Sequence, residues 1–476
     1  MKQFYENPLC ARYADREMKA IFSPDEKFST FRKLWVVLAE SERELGLDIK
    51  QSQIDEMKAN VYNIDYDSAD AYEKALRHDV MAHIRAFGDQ CPNAKPIIHL
   101  GATSCFVGDN TDVILMKKAL IHIRKLLVNL IAEMAEFAKK HKKVYCLAYT
   151  HFQAAQPTTI GQRATLWIYD LMSDLDRLDY TVSDLKLLGC KGTTGTSASF
   201  LELFEGDTEK VKRLEKLIAE KMGFSACQPV SGQTYSRKTD YFVLSVLSGI
   251  AQSLAKFSSD IRLMCHEKEF DEPFESGQVG SSAMAYKKNP MRSERIASLA
   301  RYVIVDAMNP AITSASQWLE RTLDDSANKR ISVPEAFLAT DAILTLAINI
   351  IRGGTVYPKM AEANLKREMP FMATENILMY CVKRGGDRQE LHERIRTHSM
   401  EVTKNIKLYG KENDLLDRIL ADKAFDLTKE QLDSITSAEN FSGCAVEQVD
   451  DYVETFVRPM LIKNAELIGV QAKVEV

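Results

Sequence analysis

The stretch TDVILMKKALIHIRKLLVNLIAEMAEFAKKH, from Thr111 to His141, decides the fold class of this chain. Its apolar residues recur at steps of three and four, which is the period of an α-helix that buries one face. It contains no glycine or proline, and Asp109, Asn110 and Thr111 offer N-caps before its first apolar residue. The pattern predicts a single helix of about 45 Å, which is long for a globular domain.

The same periodicity returns in four further segments of the chain. They are Thr159–Leu188, Tyr235–Glu267, a helix that begins at Pro290 and runs toward a kink at Pro310, and Val333–Ile351, which opens with Pro334. Few strand signals separate them, so the sequence predicts an all-α protein built around an elongated bundle. Because Tyr241–Ala255 is apolar on nearly every side, we also expect burial against other subunits.

Shorter candidate helices flank the bundle on both sides. The sequence predicts them at Thr30–Leu45, Gln53–Asn60, Ala69–Phe87, Ala361–Glu368, Ala373–Val382, Arg388–Thr403 and Gly443–Lys463, with a turn-rich stretch at Gly88–Asn110. We therefore divide the chain into three domains. These are an N-terminal helical domain at 1–110, the central bundle at 111–356 and a C-terminal helical domain at 357–476.

Composition excludes several classes of function. The 476 residues are 45% hydrophobic and carry a formal net charge of −5, which gives no overall attraction to nucleic acid or to an anionic membrane. Nine cysteines are present without a CxxC pair, the start of the chain lacks an apolar signal core, and no apolar stretch reaches the length of a membrane span. We expect a cytoplasmic protein with reduced thiols.

The stretch QVGSSAMAYKKNPMRSER, Gln278–Arg295, joins a small flexible opening to a dense positive cluster. Gly280-Ser281-Ser282 can bring backbone amides and hydroxyls close to a ligand, and Lys287 follows at once. Pro290 then begins a helix whose N-terminus carries partial positive charge. These features favour a bound anion, and the alternative is a solvated loop with a run of charges.

Other hydroxyl-rich loops also precede predicted helices. YTHFQAAQPTT contains His151, either a proton donor near neutral pH or a structural histidine. In LRHDVMAH, Arg77, His78 and Asp79 are consecutive, so they can meet one ligand only if the helix ends there. ERTLDDSANKR carries three spaced polar residues, and by itself it could equally form a salt-bridged surface turn. No Asp/Glu/His set has metal-ligand spacing, so the pattern suits a metal-free enzyme for a multiply charged anionic substrate.

Together these motifs resemble a known family. GSSAMAYKKNPMRSE is similar to the GSSxMxxKxNP signature of the fumarase/aspartase superfamily. RHDVMAH, HLGATS, YTHFQAAQPTT, KGTTGT and ERTLDDSANKR resemble the adenylosuccinate lyase family, its animal-type members most closely. The similarity extends from ARYAD at residues 11–15 to PFMATENI at residues 370–377 and beyond.

The resemblance implies a homotetramer in which four bundles form one twenty-helix core and three subunits contribute to each active site. It implies a small anionic nucleotide substrate, no cofactor, and no nucleic-acid or membrane partner. The reaction implied is β-elimination of fumarate from adenylosuccinate, which leaves AMP. The same site would cleave succinylaminoimidazole carboxamide ribotide to AICAR in purine biosynthesis.

The resemblance also implies roles for individual residues. His151 is the general acid, Ser281 the general base, Lys287 stabilises the developing charge, and His78 contacts phosphate or assists His151. The substrate-binding residues implied are Arg12, Tyr13, Arg77, Asp79, Thr103, Ser104, Gln233, Asn289, Arg295, Arg321, Ser326 and Arg330. Ala285 and Lys288 depart from the residues common in the family signature, and we expect them to change the rate of loop closure.

Two alternatives stay open at this stage. One is a sister lyase that acts on argininosuccinate, aspartate or malate. The other is reuse of the scaffold as a non-catalytic structural protein. Arg12, Arg321 and Arg330 favour the nucleotide substrate, because a substrate without phosphate gives them no purpose.

Overall fold

The computed structural model describes residues 3–275, 277–284 and 286–471. Within them the chain is predominantly helical. The helices are α1 Arg16–Ile21, α2 Pro24–Glu44, α3 Gln51–Ala59, α4 Tyr66–Leu76, α5 Asp79–Gln90, α6 Ser104–Lys140, α7 Ile160–Asp184, α8 Ala198–Leu203, α9 Thr208–Lys221, α10 Lys238–His266, α11 Met291–Asp306, α12 Met308–Ala315, α13 Asp324–Gly353, α14 Pro358–Met372, α15 Thr374–Lys383, α16 Arg388–Tyr409, α17 Leu415–Ala421, α18 Lys429–Ile435, α19 Ala438–Phe441, α20 Ala445–Tyr452 and α21 Arg458–Lys463.

Short irregular elements complete the described chain. Leu9–Tyr13 and Val453–Val457 form π-helical turns, and Ala465–Leu467 is a 3₁₀ turn. Strands β1 Tyr145–Thr150 and β2 Gln153–Thr159 pair antiparallel, as do the two-residue strands β3 Phe270–Asp271 and β4 Thr355–Val356.

The predicted all-α fold and its central bundle are confirmed. Helices α6, α7, α10, α11 and α13 pack against one another and supply most of one continuous core. The apolar stripe of α6 is fully buried at Leu120, Leu127 and Leu130. Burying such stripes is the main stabilising force available to long helices of ordinary propensity.

The first bundle helix begins earlier than predicted. Helix α6 starts at Ser104, and Asp109, Asn110 and Thr111 are buried inside it instead of capping it. The amide of Asn110 donates to Phe106 O at 2.7 Å and its Oδ1 accepts from Gly189 N at 3.0 Å. Two of the three residues that look like caps in the sequence, Asp109 and Asn110, therefore bond to distant segments, whereas Thr111 Oγ1 has no hydrogen-bond partner among the described residues.

Three other helix boundaries also differ from prediction. The helix predicted at Ala69–Phe87 is two helices, because Arg77 adopts a left-handed conformation with φ 57° that ends α4. Helix α13 begins at Asp324 and contains Pro334 in its interior. The helix from Pro290 breaks at Ala307 into α11 and α12.

The flanking helices divide between two cores. Buried residues of α2 and of the last helices join the core of the bundle, while α15 to α18 surround a separate cluster that includes Ile377, Leu391 and Leu432. The proposed boundary at residue 110 falls inside α6. The division into three domains remains a prediction.

By length and composition alone, α10 and α13 are apolar enough to cross a membrane. In the bundle, however, 56% and 83% of their most apolar windows are buried. Packing against neighbouring helices therefore accounts for much of their apolar character.

The contact between α6 and α7 depends on Gly161. A Cβ atom there would lie 2.3 Å from the carbonyl oxygen of Ala138 and 2.6 Å from Cα of Lys142. We expect Gly161→Ala to lower the free energy of unfolding by about 1–3 kcal/mol through overpacking.

The matched control is Gly108→Ala in α6. A Cβ atom added to Gly108 would meet no atom within 4 Å, and helix propensity should raise stability by about 0.5–1 kcal/mol. Urea unfolding of both variants measures the difference, and equal effects would contradict the steric argument.

Candidate active site

A cavity of about 760 Å³ lies where α2, the α4–α5 break, the start of α6 and the start of α13 meet. The predicted site residues Arg77, His78, Asp79, Ser104, Arg321, Ser326 and Arg330 line it. These residues come from three distant segments of the sequence. The fold thus brings together nearly half of the site predicted from motifs.

The break between α4 and α5 lets three consecutive polar residues reach this cavity. His78 is the N-cap of α5, and its Nδ1 accepts from Met81 N at 3.3 Å. Asp79 accepts from Arg330 Nη2 at 3.0 Å. Burial raises the pKa of Asp79, but the Val80 amide and the charges of Arg330 and Lys27 outweigh burial and lower it. The condition stated from the sequence, that the helix must end here, is met.

Arg321 connects two loops at the cavity and is not a surface ion pair. Its Nη1 donates to Gln233 Oε1 at 2.6 Å and contacts Cys105 Sγ at 3.1 Å. Burial raises the pKa of the Cys105 thiol to about 11, so the sulfur is neutral at physiological pH. The Nε of Arg321 is buried without a hydrogen-bond partner among the described residues.

The floor of the cavity is a buried ionic network that the motifs did not reveal. Arg237, 3% exposed, lies 2.5 Å from Asp325 and 3.0 Å from Asp109. Lys329 lies 2.5 Å from Asp112 and 3.5 Å from Asp109. Burial raises the pKa of Asp109, but Lys329 and Arg237 overcome burial and hold it below its usual value.

After these pairings the cavity retains free positive charge. Lys27, Arg77 and Arg321 line it, and none has a carboxylate within ion-pair distance among the described residues. Burial lowers the pKa of Lys27. No motif marks this lysine, because it lies in an ordinary charged first turn of α2. Glu73 is the one lining carboxylate that is likewise unpaired in the described chain. Cations therefore outnumber carboxylates in the lining by one, and the cavity is suited to an anion.

The N-terminus of α6 adds to this positive field. Ser104 is its first residue, Thr103 occupies the N-cap position without a side-chain capping bond, and its first turn contains no acidic residue. Unpaired amides and the helix dipole favour an anion at such an end.

His151 lies outside the cavity lining. It was predicted just before the second long helix, but it occupies the tip of the β1–β2 hairpin with Phe152. Both residues have left-handed conformations, with φ 51° and 57°, and both are exposed. Two residues at positive φ form the tight turn that suits the twist of antiparallel strands. In non-glycine residues this backbone is strained, and such strain is concentrated at functional sites.

Ser281 and Lys287 also lie away from the cavity lining, on the loop before α11. The Ser281 Oγ accepts from Ala283 N at 3.3 Å and Met284 N at 3.1 Å, and Asn289 Nδ2 donates to Gly280 O at 2.9 Å. Lys287 is exposed.

The position predicted to favour an anion at the N-terminus of α11 holds a carboxylate of the chain itself. The N-terminus of α11 is occupied by Glu272, whose carboxylate accepts from the amides of Arg292 and Ser293 at 2.9 and 2.7 Å. The Arg292 side chain pairs with Glu275 at 2.9 Å. This helix end is capped from within the chain. The signature departure Lys288 pairs with Asp271 at 3.3 Å, whereas Ala285 lies outside the described residues.

The N-terminal segment brings one of its two predicted residues, Tyr13, into contact with Arg295 of α11. Arg12 is exposed and Tyr13 half-buried in the π-helical turn Leu9–Tyr13. The Arg295 guanidinium lies 5.4 Å from the centre of the Tyr13 ring, a cation–π contact. Neither Arg12, Tyr13 nor Arg295 lines the cavity of this single chain.

Two family models match the chain. The first, described as "Lyase", covers residues 34–305, and the second, "Adenylosuccinate lyase C-terminus", covers residues 370–452. The adenylosuccinate lyase of Saccharomyces cerevisiae is 49% identical over 460 residues, which are 96% of this chain and 95% of that protein.

The chain belongs to the adenylosuccinate lyase family.

A second member of this family, from Schistosoma mansoni, is 46% identical over 474 residues, or 99% of each chain. Solved structures agree in fold. A fumarate lyase from Mesorhizobium sp. BNC1 superposes with a TM-score of 0.79 at 21% identity and covers 95% of this chain and all of its own. The 3-carboxy-cis,cis-muconate lactonizing enzyme of Pseudomonas putida reaches 0.81 at 21% identity, covering 94% and 98%.

The importance of the buried ionic network around Arg237 can be tested by measuring the free energy of unfolding. We expect Arg237→Met to cost about 3–5 kcal/mol of unfolding free energy, because Asp109 and Asp325 would lose their buried partner. The matched control is Lys238→Met, the next residue and an exposed cation, which should change stability by less than about 0.5 kcal/mol. Chemical unfolding followed by circular dichroism measures both, and a mild effect at Arg237 would mean that the network does not organise the cavity.

Proposed function

We propose that this protein catalyses the β-elimination of fumarate from adenylosuccinate to give AMP, and the matching cleavage of succinylaminoimidazole carboxamide ribotide to AICAR in purine biosynthesis. The observation that carries the proposal is a set of cations, Lys27, Arg77 and Arg321, that have no carboxylate partner in the described part of the chain and line a cavity of nucleotide size. The substrate has a phosphate and two carboxylates, so it supplies the missing negative charge. The names of the similar proteins from two eukaryotes support the same reaction.

In this proposal the phosphate end is bound by Arg321, Ser326 and Arg330, joined by Arg12 and Tyr13 of a subunit's N-terminal segment. Arginine suits this task because its planar guanidinium forms paired hydrogen bonds with phosphate oxygens. Arg321 donates to Gln233, and Arg330 donates to Asp79. These contacts would hold both arginines in place before the ligand binds.

The succinyl end would bind at the start of α6. Thr103 and Ser104 provide hydroxyls and free amides there, and Gln233, Asn289 and Arg295 complete the group. Arg77, Asp79 and His78 line the space between the two ends.

Ser281 would act as the base and His151 as the acid. Ser281 removes the proton from the carbon beside the distal carboxylate, the electron pair forms the double bond of fumarate, and the C–N bond breaks as His151 gives its proton to the departing nitrogen. A serine hydroxyl is too weak an acid in water for this role. Two backbone amides already point at the Ser281 oxygen, so they would stabilise its anion, and Lys287 adds positive charge.

The cavity, the hairpin tip with His151 and the loop with Ser281 lie at three separate places in one chain. We therefore propose that active sites form between subunits of a homotetramer. Large apolar side chains exposed on and beside the bundle helices support such assembly; they include Phe242, Val305, Ile312, Trp318 and Leu323. The twenty-helix core and a cytoplasmic location belong to the same proposal. All nine cysteines are free thiols, which is consistent with a reducing compartment.

The two alternatives are less well supported. A sister lyase acting on argininosuccinate, aspartate or malate would leave the cations of the cavity without a phosphate to bind. Structural reuse of the scaffold would not require His151 and Ser281, and both are present.

The substrate class is tested by fumarate release. We expect turnover of adenylosuccinate and no comparable turnover of argininosuccinate, aspartate or malate. Arg321→Met should raise KM for adenylosuccinate by about 10–100-fold, because a charged hydrogen bond to phosphate is lost. Arg262→Met, at an exposed position on α10, is the control. Release of fumarate from argininosuccinate alone would contradict the proposal.

Shared sites are tested by mixing two inactive variants. We expect His151→Gln and Ser281→Ala each to lower kcat by roughly 10²–10⁴-fold, the usual contribution of general acid–base groups. If each site takes these residues from different subunits, random hybrids should regain activity at about a quarter of their sites. Refolded mixtures are compared with each variant refolded alone. Absence of recovery in mixtures of confirmed hybrid composition would place both residues in one subunit's site.

A further inference from the structure

A buried histidine on α6 stands apart from every motif in the sequence. His122 has a side chain that is 3% exposed, and its Nε2 lies 2.9 Å from Asp341 Oδ1 and 3.5 Å from Asp15 Oδ2. Its Nδ1 lies 3.3 Å from Glu17 Oε1. We call these four residues the His122 cluster. They come from the N-terminal segment, α1, α6 and α13, so no spacing rule could have predicted the group.

The cluster joins the N-terminal segment to the bundle. The Asp15 amide donates to Asp341 Oδ2 at 2.7 Å, while Asp15 Oδ1 caps α1 by accepting from Met18 N at 2.8 Å. Asn7 forms a second attachment, donating to Glu335 Oε1 at 2.7 Å. Both acceptors belong to α13. The π-helical turn Leu9–Tyr13, with Arg12 and Tyr13, lies between these two attachments.

The attachments fix this turn to α13, a helix that also lines the cavity. Helix α13 supplies Arg330, Val333 and Pro334 to the cavity lining, within a few residues of the Asn7 attachment. Phe22, which follows α1, also lines the cavity and packs on Phe337 with ring centroids 5.5 Å apart. A displaced Asp15 would therefore change the position of Arg12 and Tyr13 relative to the phosphate end of the site.

The charge of His122 matters because carboxylates surround it. Asp15, Glu17 and Asp341 face its ring, and Lys125 of α6 lies 3.4 Å from Glu17. Burial lowers the pKa of His122, but the contacts with Asp15 and Asp341 overcome burial and raise it to about 10. If a neutral side chain replaced His122, the carboxylates of Asp15 and Asp341 would repel each other with no positive charge between them. The repulsion would be costly because Asp341 is fully buried.

We propose that His122 is a positioning residue, which fastens the segment carrying Arg12 and Tyr13 to the bundle and thereby sets the affinity of the site for a phosphate-bearing nucleotide. The inference rests on the proposed function. It assigns His122 no contact with substrate and no proton transfer.

The test measures AMP affinity by calorimetry in the assembled protein. We expect His122→Gln to weaken AMP binding by about tenfold, as misplacement of a binding group does, and to raise KM with little change in kcat. The control is His141→Gln, at the C-terminal end of the same helix, whose ring packs on Phe137 and which should leave AMP affinity unchanged. The double variant His122→Gln/Asp341→Asn should recover part of the affinity, because it removes the uncompensated carboxylate.

A second measurement tests the charge of His122 through the pH dependence of thermal stability. The folded pKa of His122 is raised, so its stabilisation is complete below the unfolded value near 6.5 and is lost as pH rises toward about 10. The difference in Tm between wild type and His122→Gln should therefore shrink from pH 6 to pH 9.5. For His141, whose pKa burial lowers to about 4, the same difference should stay constant above pH 6.5.

Each outcome decides the inference. If the wild type binds no AMP, the proposed function and this inference fall together. If the wild type binds AMP and folded His122→Gln binds it equally well, the inference alone is overturned. It is also overturned if the double variant gains no affinity over the single one, or if Asp15, His122 and Asp341 prove to hold a stoichiometric divalent metal whose removal by a chelator abolishes AMP binding.

Discussion

The buried charge of Arg237 is the interaction on which the rest of the cavity depends. It sits at the start of α10 and pairs with Asp109 of α6 and Asp325 of α13, so three long helices meet at one cation. Burying these charges is favourable only when every partner is in place. The register of the helices and the shape of the cavity are therefore set together, and Lys329 and Asp112 extend the same arrangement toward the cavity wall.

The residues proposed for substrate binding and those proposed for proton transfer lie on two kinds of structure. The cations that would recognise the substrate lie on or beside helix ends held by the bundle, which keeps their separations constant. His151 lies at the tip of a hairpin, and Ser281 lies on a loop where its Oγ accepts from the Met284 amide. Loops positioned by a rigid scaffold often carry catalytic groups, and here their separation within one chain is the reason to propose shared sites.

Helix ends show how far local sequence can mislead about anions. The basic run at Gln278–Arg295 attracted attention, yet Arg292 and Lys288 are occupied by Glu275 and Asp271, and Glu272 caps the helix. The start of α6 has no comparable cation run, and its amides are free of acidic side chains in the first turn. Charge in the sequence identifies the residues, but only their partners decide which charge remains available.

By itself the sequence determined the helical class, the five bundle helices and the family, because periodicity and motifs are local properties. The tertiary structure alone decided that Asp109 and Asn110 are buried partners and not caps, that the helix breaks at Arg77, and that Lys27 and Arg237 line the cavity. These outcomes depend on desolvation and ion pairing between segments far apart in the chain. The energy of such pairs is set by distance and burial, and neither quantity can be read from the amino-acid sequence alone.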